Sequence, residues 1–124
     1  MRPAEAEGPP PSLFEVVRRA VEVTDPSGRY GVGDVLELVE DSDEPVTTHE
    51  DIETDLAELK GRVDPQDEDP AVMMAFAVAT YLSFRRDEMD DDPGDILRLA
   101  ARAEYDGKPP ENVRAWLDEQ GVAV

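Results

Sequence analysis

Two pairs of carboxylates sit one helical turn apart in this chain, Glu50-x-x-Glu53 and Glu88-x-x-Asp91. Residues three apart share a helix face, and two acids there can share a hard cation such as Mg2+. The spacing selects little by itself, because 31 of 124 residues are Asp or Glu, and about seven or eight such pairs arise by chance at that density. The run Asp87–Asp95 (DEMDDDPGD) has the acid density of a calcium loop. No register of it supplies Gly at the sixth position together with Glu at the twelfth, so it reads as a solvated turn that caps the next helix. Nucleophilic chemistry has little to use. There is no Cys, and the one imidazole, His49, lies in Thr47-Thr48-His49-Glu50-Asp51, where an exposed position is expected. A Ser–His pair needs the imidazole held beside the nucleophile, and no Ser lies in a Gly-x-Ser-x-Gly elbow. Tyr30-Gly31-Val32-Gly33 has two glycines, but lacks the third of a dinucleotide fingerprint and the Gly-Lys-Ser/Thr of a P-loop. Asp34 would also set a carboxylate where phosphate should lie, so a turn with positive φ is expected there.

The acid pairs are similar to the Glu-x-x-Glu and Glu-x-x-Asp elements of the all-α nucleoside-triphosphate pyrophosphohydrolases. That resemblance covers Glu50, Glu53, Glu88 and Asp91 alone, and it implies Mg2+ held by those four acids. The chain departs from the family in two ways. Thirty-four residues separate Glu53 from Glu88, with the second pair beyond the expected end of its helix, and only Arg85 and Arg86 lie near enough to hold a triphosphate.

Charge narrows the field further. Lys and Arg number 12, of which only Lys60 and Lys108 are Lys, and the formal net charge is −19. A surface so negative repels nucleic-acid phosphates and anionic lipid. Asp34–Val63 has the rhythm of the first part of a winged-helix DNA reader, but Gly61 and Asp64-Pro65 arrive where a recognition helix is due. Its reading face would carry Glu50, Glu53, Asp55 and Glu58, so direct readout is not expected. Acid-rich, Lys-poor composition suits a salt-in halophile, where concentrated salt shortens the Debye length to about 3 Å. A GC-rich genome or a dedicated acidic mimic are the other sources. With no apolar stretch behind Met1-Arg2-Pro3-Ala4-Glu5, a cytoplasmic location is expected.

The elements that must position any site read as helices. Residues 1–11 (MRPAEAEGPPP) are expected to be a flexible Pro-rich arm, and residues 12–124 a single acidic helical domain. Ser12 and Glu15 form a capping box ahead of Leu13, Val16, Val17, Ala20 and Val21 on one face, ending at Asp25-Pro26-Ser27-Gly28. A short helix from Asp34 to about Asp41 is preferred over a strand, which would have no partner. Thr47 or Thr48 is expected to cap a third helix with Ile52, Leu56, Leu59 and Val63 inward, Lys60 near its end and Gly61 just past it. Asp69-Pro70 opens a fourth helix, apolar on all sides except Thr80 and Ser83 up to Phe84. It is too short for a bilayer, which takes about 20 residues. Asp92-Pro93 opens a fifth, with Ile96, Leu99, Ala100 and Ala103 inward and a stop at Asp106-Gly107. Pro109-Pro110 opens a sixth, with Val113, Trp116, Leu117 and Gln120 on one face. Val122-Ala123-Val124 either docks or frays.

The expected fold is therefore all-α: five to six short helices in a compact array around a central apolar helix at about 70–86. Met73, Phe76 and Tyr81 on that helix are expected to be enclosed, leaving no cleft for chemistry. The expected function is non-catalytic, with no cofactor: binding of another macromolecule, protein first, as an adaptor, assembly component or regulator. Two alternatives stand beside it, a nucleic-acid mimic that occupies a DNA-binding protein and the Mg2+-dependent pyrophosphohydrolase. Arg85, Arg86 and Trp116 are the candidate interaction residues, since Trp and Arg most often anchor interfaces. The competing reading packs Trp116 on the fourth helix and pairs the arginines with Asp87, Glu88 or Asp90.

Overall fold

A helix that is apolar around its whole circumference is stable in water only if other elements cover it. Helix α3 (Pro70–Phe84) is that helix here. Its two small polar side chains bond within the helix, Thr80 Oγ1 donating to the Phe76 carbonyl at 2.9 Å and Ser83 Oγ to that of Ala79 at 2.8 Å. The computed structural model describes residues 11–48, 50–66 and 68–123. In them α1 (Leu13–Thr24), α2 (Ile52–Val63), α4 (Pro93–Tyr105) and α5 (Glu111–Glu119) all pack against α3, and α1 also meets α4. Short 3-10 segments at Val32–Leu38, Val46–Thr48 and Arg86–Glu88 complete the chain. The fold is all-α, with α3 at its centre, and no described helix is long and apolar enough to cross a membrane. Residues 1–10 of the expected arm (residues 1–11), His49, Asp67 and Val124 lie outside the described residues.

The N-terminus of α1 shows how the acidic loops are used. Ser12 and Glu15 form the expected reciprocal box, at 3.0 and 3.1 Å. The next two amides, of Leu13 and Phe14, donate to the carbonyls of Glu44 and Ser42 at 3.2 and 3.1 Å. The acidic loop ahead of Pro45 thus satisfies the start of α1. Val46 N–H donates to the Pro11 carbonyl at 2.9 Å, so the last residue assigned to the arm is bonded into the fold.

Buried Asp carboxylates fix the other loops. Asp25 accepts from the backbone N–H of Tyr30 and Val32, each near 3.1 Å, and turns the chain into the 3-10 segment. Gly31 precedes that segment at φ 71°, the positive value its place in the sequence requires. The segment is not a strand, as expected, but it is 3-10 rather than α: Val32, Val35 and Val39 are the buried positions on its course. Asp64 likewise accepts from Glu68 and Asp69, at 2.9 and 3.1 Å. Asp69 then caps α3 through the amides of Ala71 and Val72, with Pro70 in the first turn.

Three boundaries and faces differ from expectation. The cap of α2 is Asp51, which accepts from Thr54 N–H at 3.2 Å and from its hydroxyl at 2.7 Å. Thr47 and Thr48 instead form a 3-10 turn, and Thr48 Oγ1 donates to the Pro45 carbonyl. Gly61 is inside α2 rather than past it, and Val63, expected inward, is exposed. The buried stripe of α4 is Ile96, Leu97, Ala100 and Ala101, rotated from the expected one so that Ala103 faces solvent. Two neighbours, α1 and α3, share that stripe, which widens it toward Leu97 and Ala101. Val122 docks, its N–H donating to the Leu117 carbonyl at 2.9 Å after Gly121 at φ 77°.

The placement of Gly61 has a measurable sign. A Cβ added there meets nothing within 4 Å, and its φ is not positive. Gly61→Ala is expected to stabilise the protein by about 0.5–1 kcal/mol in urea unfolding. Had Gly61 been the left-handed residue past the helix end, the same change would destabilise.

Candidate functional site

The four acids of the candidate metal site are spread out. Glu50 is exposed ahead of α2 and Glu53 lies in its first turn, while Glu88 is in the Arg86–Glu88 turn. Glu88 accepts the Tyr81 hydroxyl at 2.6 Å, and Asp91 is an exposed turn residue. Among the described residues no group of three or more His, Asp or Glu side chains is gathered as a metal would require.

The candidate interaction residues also separate. Trp116 is a core side chain, 3% exposed, and meets Tyr30 edge-on at 6.0 Å. It is therefore unavailable to a partner, and its Nε1–H has no hydrogen-bond acceptor among the described residues. Arg86 is exposed, and its guanidinium donates to the Ser83 carbonyl at 2.9 Å instead of pairing with Asp87, Glu88 or Asp90. Arg85 lines a recess.

That recess belongs to a groove that runs along one side of α3. Its deeper part, about 170 Å3, has Met73, Phe76 and Ala77 as floor, with Glu53, Ala57 and Lys60 on the α2 side and Glu104 on the α4 side. A second part of about 260 Å3 shares Glu53, Ala77, Thr80 and Glu104 and continues to Tyr81, Phe84, Arg85 and Ala103. Met73 and Phe76 are buried as expected, at 7% and 5% exposed, while Tyr81, also expected to be enclosed, is half-buried; the recess lies beside them, between side chains of α2 and α4. Ala77 lines both parts from α3, with exposed Ala57 of α2 beside the first and exposed Ala103 of α4 beside the second. Phe84 ends the groove 57% exposed, the most open large apolar side chain described.

Four charged side chains line the groove, Glu53 and Glu104 with Lys60 and Arg85. The groove walls take water from the Glu104 carboxyl and raise its pKa above the ordinary value; the Glu53 charge adds to the rise and Lys60 opposes it. At the far end, burial first, then the hydrogen bond and charge of Glu88, push the Tyr81 hydroxyl up to about 12. Sequence reasoning identified Glu53 and Arg85 but missed Glu104, Phe84 and the alanines. Nothing in the local pattern marks an alanine as the wall of a groove.

A third basic residue does structural work. Arg19 of α1 donates to the carbonyls of Met89 and Asp91, at 2.6 and 3.0 Å, and so holds the acidic turn ahead of α4 against α1.

Two titrations test this geometry. Because folding raises the Glu104 pKa, the folded chain holds a proton there that the unfolded chain has lost, and stability falls as pH rises through that interval. Glu104→Gln is expected to unfold at higher urea than wild type at neutral pH, with the difference vanishing below the ordinary carboxylate range. The chain has three Tyr, and ultraviolet titration is expected to show one ionising near 12, a late phase that Tyr81→Phe removes. No protein-family model, curated protein or solved structure matches this chain.

Proposed function

We propose that this chain is a small non-catalytic domain that binds another protein, and that the groove along α3 is where it does so. The observation that carries this reading is Phe84: most large apolar side chains here are buried, Met73 and Phe76 among them, yet Phe84 is 57% exposed at the end of the recesses along α3. An adaptor, an assembly component and a regulator all need such a face. The surplus of acid and shortage of Lys support a working environment of concentrated salt, where apolar fit carries more of the attraction than long-range charge.

The test blocks the groove without disturbing the core. Ala57 and Ala103 are exposed helix positions on its two walls, and Ala115 is an exposed position on α5 that does not line it. Ala57→Arg, Ala103→Arg and Ala115→Arg each add one positive charge and one long side chain. Each variant is used as bait in extract of the native cells at low and high salt, after circular dichroism has verified folding. A protein retained by wild type and Ala115→Arg is expected to drop at least about tenfold with Ala57→Arg and Ala103→Arg. Equal retention by all baits refutes the reading.

A further inference from the structure

We propose that α2 is a hinged cover: it releases from α3 and melts as one unit while α1, α3, α4 and α5 stay packed, and so lays open the side of α3 that carries Met73 and Phe76. The inference goes beyond the docking reading and does not depend on it. Burial is the first support, because local opening takes the element with the fewest buried apolar contacts. Only Ile52 and Leu56 of the 12 residues of α2 are buried, against seven of 12 in α1, four of 13 in α4 and three of nine in α5. Leu59 is half-buried and Val63 is exposed, so α2 is held by the least apolar surface of the five helices.

Its surroundings let α2 leave alone. Helices α1 and α4 pack against each other as well as against α3, whereas α2 and α4 face each other across the recess lined by Glu53, Ala57, Lys60 and Glu104. Helix α5 is held from the side, Trp116 against Tyr30 and Gln120 Nε2 donating to the Tyr30 hydroxyl at 3.1 Å. The start of α1 is bonded to the carbonyls of Ser42 and Glu44, but the cap of α2 is internal, Asp51 accepting from Thr54. At the other end Asp64 is the hinge. Its buried carboxylate holds the amides of Glu68 and Asp69, which belong to the start of α3 and stay in place. Two features of α2 favour release. Gly61 regains more backbone freedom on melting than any other residue type would. Glu104 regains water and loses the neighbouring Glu53 charge when α2 lifts, the two causes of its raised pKa, although it also loses Lys60. A helix of 12 residues does not persist in water by itself, so release exposes the amides of α2 to solvent.

The test is native-state hydrogen exchange on the whole chain, read by mass spectrometry of peptic fragments at rising urea below the unfolding transition. The amides of residues 56–63 are expected to share one opening constant, at least about tenfold larger than that of residues 74–82 in α3. That constant is expected to depend less on urea than the one for α3, because release exposes less surface than global unfolding. Gly61→Ala is expected to lower opening across the whole of residues 56–63 by about two- to fivefold. Equal opening constants and equal urea slopes in α2 and α3 overturn the proposal, since α2 then leaves only when the whole chain unfolds. A response to Gly61→Ala confined to the turn around residue 61 also overturns it, because the helix end then frays instead of the unit releasing. So does opening of α4 together with α2 in one step.

Discussion

The structure depends on burying α3. Eleven of its 15 residues are buried, and complete burial of a Val, Leu, Met or Phe side chain is worth about 1.5–3 kcal/mol. No single amphipathic helix can cover a cylinder, so α1, α2, α4 and α5 each contribute one stripe. Their faces, Val16 with Val17 and Ala20, Ile52 with Leu56, Ile96 with Ala100, Val113 with Leu117, are the price of one helix without a polar side.

A chain with so many acids faces a second constraint, since each buried carboxylate must find donors. The protein meets it with backbone amides rather than bases. Asp25 and Asp64 are buried, each accepting two or more amide bonds, and Asp51, Asp69 and Asp92 cap α2, α3 and α4. Ion pairs between side chains play a small part: Arg19–Glu22 and Arg98–Asp95 are surface contacts one turn apart, a class worth little. The more consequential use of Arg is Arg19 on the carbonyls of Met89 and Asp91, which ties α1 to a turn 70 residues away.

The groove follows from the same packing. Where α2 and α4 approach α3 they present Ala57 and Ala103, and α3 presents Ala77. The helices cover Met73 and Phe76 and leave a recess beside them. Glu53 and Glu104 meet across it although 50 intervening residues separate them in the chain. Burial first, then the Glu53 charge, raises the Glu104 pKa, and Lys60 opposes the rise.

What the sequence determined by itself was local chemistry. The Ser12/Glu15 box, Asp69-Pro70 and Asp92-Pro93 specify helix starts because a carboxylate or hydroxyl can reach an amide two or three residues on. The run Ala71–Phe84 specifies a core helix because it has no face to give to water. Tertiary structure decided everything that depends on a neighbour. Gly61 stays helical because α2 continues to Val63, and Trp116 is core because α5 turns it toward Tyr30. The stripe of α4 rotates because α1 and α3 share it. The recess beside exposed Phe84 is lined from three helices, and that convergence has no signature in any one of them.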